Sequence, residues 1–313
     1  MSTCATVSRD LDEPLSGTAA TATTWLLLEQ PGPWGARALV SSHLDPSLGR
    51  ALEAAAQGTG VRIALIRRPG PHADFGAPPL RQVYAAHTVP GRVWLHGAAT
   101  HDPRRLLDLD FAALGQGDHR TFDDALRGRP HTGDPLALVC TNGKRDRCCA
   151  LLGRPLAAQL AASGVRGTWE VTHLGGHRFS PTVLVLPHGY AYGRVEAHTV
   201  REVLHGVQDG RIVLRGCRGS SAWERPGQAA ELAVREATGE DAAQALSVVR
   251  TAGGAPRWEV TVAHTDGRHW EVVVDQVAAS PPRPESCGAS VLGAPARMDV
   301  VAVRELTGAA SAG

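Results

Sequence analysis

The 313-residue sequence contains a single lysine, Lys144, and the rest of its basic charge is arginine. So uniform a preference reads as genome composition, and arginine richness alone is not taken as a sign of function. Net charge is also nearly missing, at +1, which gives no electrostatic basis for binding nucleic acid or an anionic membrane. No apolar run comes near the ~20 residues of a membrane span. Residues 1–13 lack a basic stretch followed by an apolar one, so a signal peptide is not expected and a cytoplasmic location is. In a reducing compartment the six cysteines are expected as ligands, reactive thiols or small buried residues, not as a disulfide framework.

What is present describes a globular protein: 43% hydrophobic and 20% charged residues, in a chain long enough for two or three units. Residues 1–20 are polar and Ala/Thr-rich and are expected to fray. Trp25 to Leu28 and Val61 to Ile66 read as buried strands with a helix at Leu48 to Ala56 between them, an order that implies a parallel pair. After a Pro/Gly-rich break from Pro69 to Pro79, strands are expected at Gln82 to His87 and Arg92 to Leu95, then helix over much of 103–128. This gives an N-terminal α/β unit, residues 1–130.

The second unit, 131–212, reads as strand 136–140, helix 147–163 with a kink or restart at Pro155, strands 168–172 and 182–186, and helix 197–206. Tyr192 to Val195 offers a short extra strand. The third unit, 213–313, is a small α+β piece. It has helices at Pro226 to Thr238 and Asp241 to Val248, then a hairpin about Thr265-Asp266-Gly267. An irregular stretch follows Ser280, and the last few residues are expected to be disordered.

The chemistry concentrates in the second unit. Cys140 ends a strand, and Cys148 and Cys149 fall in the first turn of the next helix, with Asp146 as its N-cap. Free backbone N–H groups there, with Lys144, Arg145 and Arg147, favour thiolates. Some thirty residues on, His173 and His177 flank Gly175 and Gly176 between two strands, a tight loop that lets both rings meet one ion. Taken singly, each cysteine reads as a small buried residue and each histidine as a satisfied core residue. Together they are a ligand set, two thiolates and two imidazoles, suited to zinc or to one iron–sulfur cluster. Cys4, Cys217 and Cys287 read as non-ligand thiols, and His87, His131, His188 and His269 as surface residues.

The segments Cys140-Thr-Asn-Gly-Lys-Arg-Asp-Arg-Cys-Cys149, Trp169-Glu-Val-Thr-His-Leu-Gly-Gly-His177 and Leu186-Pro-His-Gly-Tyr-Ala-Tyr-Gly193 resemble the sucrase/ferredoxin-like family. That family is similar in turn to thioredoxin-like [2Fe–2S] ferredoxins. The resemblance implies a thioredoxin-like second unit, with the first unit open to the same fold. It implies a [2Fe–2S] cluster held by Cys140, Cys149, His173 and His177, the last two standing where related ferredoxins carry cysteines. Cys148 stays an alternate to Cys149, and Arg178, Gly175 and Gly176 are expected around the site. It also implies a cis Ser180–Pro181 bond. One-electron transfer or redox sensing is the expected role, exchanged with redox protein partners, and imidazole ligands raise the potential and allow proton coupling. No carboxylate pair suggests glycoside hydrolysis. Two alternatives remain: a structural zinc scaffold with the same ligands, and a metal-free thiol–disulfide oxidoreductase, whose usual Cys-x-x-Cys is absent.

Overall fold

The computed structural model describes residues 3–70 and 80–306. Most of the break expected at Pro69 to Pro79, and the C-terminal residues expected to be disordered, lie outside them. The chain is mixed α/β, with one ten-stranded sheet and a second, four-stranded one.

Along the first third run α1 (Cys4–Asp10), β1 (Thr24–Glu29), α2 (Pro46–Ala56), β2 (Val61–Arg67), β3 (Arg81–His87) and β4 (Trp94–Thr100). Two short helices, α3 (Phe111–Gly115) and α4 (Arg120–Leu126), and the two-residue β5 (Arg129–Pro130) complete it. β1 and β2 pair in parallel across α2, as their near-continuous apolar runs require, and β3 and β4 follow as an antiparallel hairpin beside β1.

The middle third repeats that order. β6 (Leu136–Cys140) and β7 (Thr168–Val171) are parallel, joined through α5 (Arg154–Ala162). β8 (Thr182–Leu186) and β9 (Tyr190–Gly193) form the antiparallel hairpin beside β6, ahead of α6 (Ala197–Gln208). Pro155 is the second residue of α5, directly after a wider helical turn over Cys149–Gly153, so the helix restarts there as expected. The extra strand after the turn at Pro187 is β9, ending two residues before the expected Val195.

The two halves form one sheet because β2 and β7 pair antiparallel, Ile66 opposite Val171 and Arg67 opposite Glu170. One sheet face, with Trp25, Leu27, Ile66, Leu138, Trp169 and Leu184, makes a core common to both halves. Alternate residues face the helices, Leu26, Leu28 and Leu65 towards α2 and Val139, Val183 and Val185 towards α5 and α6. β10 (Cys217–Ser220) adds the last strand beside β9.

The C-terminal part packs α7 (Arg225–Thr238) on a meander of β11 (Leu246–Gly254), β12 (Arg257–His264), β13 (His269–Ala278) and β14 (Ala296–Leu306). The hairpin about Asp266 is as expected. The helix expected at Asp241 to Val248 is not formed. Residues 241–245 turn, and Leu246 to Val248 pair with β12, so cross-strand pairing outweighs the helical propensity of its alanines.

The N-terminus departs most from expectation. Residues 1–20 do not fray over the described stretch: α1 is capped by Thr3, and Cys4, Ala5, Ser8 and Glu13 are buried. The surface reading of two histidines also fails. His87 is buried with Nδ1 2.9 Å from Thr24 Oγ1, His188 is buried too, and desolvation pushes both imidazoles down to about 4. No helix among the described residues is long and apolar enough to cross a membrane.

Candidate metal centre

Cys140 closes β6, and a short loop leads into the helix that begins after Asp146. The Asp146 Oδ1 accepts from the Cys148 N–H at 2.9 Å, the N-cap that its position predicts. The chain then makes one wider, π-helical turn, Cys149–Gly153, before α5. Gly153 is where a Cβ would overlap the Cys140 carbonyl, so only glycine lets this turn close on the strand end. That closure carries Cys149 against Cys140.

From the other side, β7 leads into the loop of His173 and His177. Gly175 and Gly176 have φ of 87° and 68°, the left-handed region that glycine occupies freely. A short 3-10 turn, His177–Phe179, and a cis Ser180–Pro181 bond lead into β8.

The sulfurs of Cys140 and Cys149 and one ring nitrogen of His173 lie within 4.8 Å of one another. The His177 ring stands beside that of His173, 5.3 Å between centroids. Thiol is therefore next to thiol and imidazole next to imidazole. Both thiols are fully buried, whereas the imidazoles are half-buried and form the solvent side.

The site's electrostatics favour one thiolate and a neutral imidazole. The Cys149 thiol donates to Cys140 and, with His173, holds the Cys140 thiol well below its usual range despite burial. Cys149 is pushed up in exchange. Burial pushes His177 down, towards the neutral imidazole that binds metal. Nδ1 of His173 and both ring nitrogens of His177 are buried with no hydrogen-bond partner; the nearest acid, Asp146 Oδ2, is 3.5 Å from His177 Nε2. Buried polar atoms left unpaired cost about 1–3 kcal/mol each. A metal bound through one nitrogen of each ring would lift part of that cost, and two sulfurs with two imidazoles suit zinc or a two-iron cluster.

Two arginines hold the histidine loop, the half-buried Arg62 and the buried Arg218, and no sequence signal marks either. Arg62 Nη2 donates to the His173 carbonyl at 3.1 Å. Arg218 is wholly buried, and its Nη1 donates to the Gly175 carbonyl at 3.1 Å while Nη2 donates to that of Thr18. Desolvation pushes Arg218 down to about 9. Arg178 turns from the centre: its Nε donates to Glu13 at 2.9 Å and its guanidinium covers the Phe179 ring.

Cys148 faces a different group. Its sulfur is 3.4 Å from that of Cys4 and 3.1 Å from that of Cys287, so these two thiols, read as non-ligands, stand in a cluster with it. Cys217 is a solitary buried thiol, pushed up to about 12 by desolvation. A third group, His96, His119 and Asp123, was also missed; its two imidazoles share one carboxylate at 2.7 and 2.8 Å. A cleft of about 330 Å³ adjoins the Cys140 loop, lined by Trp34, Asn142, Lys144 and Arg154 among others.

Fold and site thus define an α/β protein with buried Cys/His groups able to hold metal. The sucrase/ferredoxin-like family matches residues 15–219, about two thirds of the chain, and the protein belongs to that family. No curated protein and no solved structure matches it.

Proposed function

We propose that this protein carries a [2Fe–2S] cluster on Cys140, Cys149, His173 and His177, and works as a one-electron carrier or redox sensor, not as an enzyme with its own substrate. The observation that carries the reading is the segregated donor set: paired thiols, one already favoured as thiolate, facing paired imidazoles, three of whose four nitrogens are buried without a hydrogen bond. Sorting by type suits one iron with two thiolates and the other with two imidazoles. Cys149 is taken over Cys148 as ligand because only its sulfur stands with Cys140 and His173. When bound, the cluster supplies one-electron transfer.

The chain supplies the rest. Gly153 lets the two thiols meet, and Arg62 and Arg218 fix the backbone that aims the imidazoles. The same arginines place positive charge near the thiolates, which stabilises added electrons. The half-buried imidazoles are the edge through which an electron, and a proton at a ring nitrogen, can reach a redox partner. The strand order β7-β6-β8-β9, with β8 antiparallel to β6, supports a thioredoxin-like layout for the second half, and β2-β1-β3-β4 repeats it in the first. Six unpaired cysteines are in keeping with a reducing cytoplasm.

Freshly isolated, anaerobically handled protein should be red-brown, with two irons and two sulfides per chain, and bleach on reduction. His173→Ala and His177→Ala should each lose or shift the visible spectrum while keeping the far-ultraviolet signature of the fold. Its potential should fall as pH rises from neutral to alkaline. A colourless protein with one zinc lost on His173→Ala would replace this reading with the zinc scaffold, and a flat potential would remove the proton coupling.

A further inference from the structure

The N-terminal helix and the β13–β14 connection meet beside the centre. The β13–β14 connection, residues 279–295, is far longer than a hairpin needs and brings Cys287 back to the helix that carries Cys149. α1 brings Cys4 to the same place. The three sulfurs of Cys4, Cys148 and Cys287 form a triangle with sides of 3.4, 3.5 and 3.1 Å. The Asp146 carboxylate closes it, Oδ1 and Oδ2 lying 3.8 and 3.9 Å from the Cys4 sulfur. All four residues offer a ligand atom within 4.8 Å of the others, and three of them are buried.

We propose that Cys4, Cys148, Cys287 and Asp146 form a second metal site, a structural zinc site distinct from the Cys140/His173 centre. Thiolates on one tetrahedral zinc, at about 2.3 Å, stand roughly 3.8 Å apart, so the triangle needs to open by only ~0.5 Å. Three thiolates select a soft or borderline ion, and a carboxylate oxygen completes a closed tetrahedron. Asp146 has capacity to spare. It accepts the Cys148 and Cys287 N–H groups at 2.9 and 2.8 Å, two of about four lone-pair positions.

The ion would tie together segments 144 and 139 residues apart in sequence, clamping the N-terminus and the β13–β14 connection over the histidine loop. Through Asp146 it would stand one residue from His177.

The test is metal and thiol analysis of the full chain, purified under reducing conditions and supplied with zinc alone. The expected result is one zinc per wild-type chain, and less than a tenth of that in Cys4→Ser and Cys287→Ser. Cys140→Ser and His173→Ala should lose iron and sulfide but keep the zinc, so the two centres are read independently. Alkylation mapped by mass spectrometry serves where a variant folds poorly: in wild type, Cys4, Cys148 and Cys287 should resist modification with zinc and react together after chelation. Zinc content unchanged by both serine variants, no zinc uptake by reduced wild type, or an intact mass two hydrogens short from a disulfide would each overturn the proposal.

Discussion

Gly176 meets two constraints at once: its φ is 68°, and a Cβ there would overlap the guanidinium of Arg218. The guanidinium is buried and bonded to Thr18 and Gly175, so it has nowhere to retreat. Gly176→Ala should cost about 1–3 kcal/mol from the left-handed backbone and the displaced arginine together. Thermal melting reads that loss, and the iron content should fall with it because the imidazoles are aimed by this loop. An alanine variant as stable and as iron-loaded as wild type would show that Arg218 does not hold the loop. The histidine pair and its glycines were legible in sequence, since ligand types and turn residues are local properties. Arg62 and Arg218 were not. Among so many arginines nothing marks these two until the fold brings their carbonyl partners to them.

At the scale of elements, the N-terminal segment is held by charge as well as by its thiol. Glu13 is buried, and burial alone would raise its carboxyl. Hydrogen bonds from Arg283, Arg178 and Ser8, with the charge of Arg178, outweigh that and hold it below the usual value. A depressed folded pKa means that this stability is fully present above the unfolded value of about 4.3, and is lost as pH falls through the lower folded one. Glu13→Gln should destabilise the protein by about 3 kcal/mol at pH 7, because it leaves buried cations uncompensated. The variant should open residues 3–20 to protease at neutral pH, where wild type resists until acid. Equal protease resistance of the two at pH 7 would refute the assignment. The same arginines explain why a polar, Ala/Thr-rich stretch that reads as a fraying end is packed: its partners lie 165 and 270 residues away.

At the scale of the whole molecule, the ten-stranded sheet makes the first two thirds one cooperative body. Arg67 on β2 and Glu170 on β7 pair at 2.7 Å where the halves join, both side chains buried, and the Thr141 hydroxyl donates to the same carboxylate at 2.9 Å. Thr141 follows Cys140 directly, so the seam between the halves also steadies the first thiolate. Glu170→Ala should cost about 3–5 kcal/mol, the penalty for breaking a buried ion pair by removing one partner. Calorimetry should show the sheet still melting in a single step, at lower temperature, with the visible absorbance lost in that same transition. Separate melting of the halves would mean that the β2–β7 seam is not structural.

The sequence by itself determined most of the strand and helix order from β1 to α6, the hairpin about Asp266 and the Cys/His donor set. Each depends on side-chain periodicity, turn chemistry or ligand type within a few residues. Only the tertiary structure decided that β2 and β7 fuse the halves into one sheet, because edge pairing is open to several partners until both edges exist. It also separated Cys148 from Cys149. Adjacent residues on a helix point about 100° apart, so one thiol joins Cys140 while its neighbour turns to Cys4 and Cys287, whose nearness no local pattern encodes.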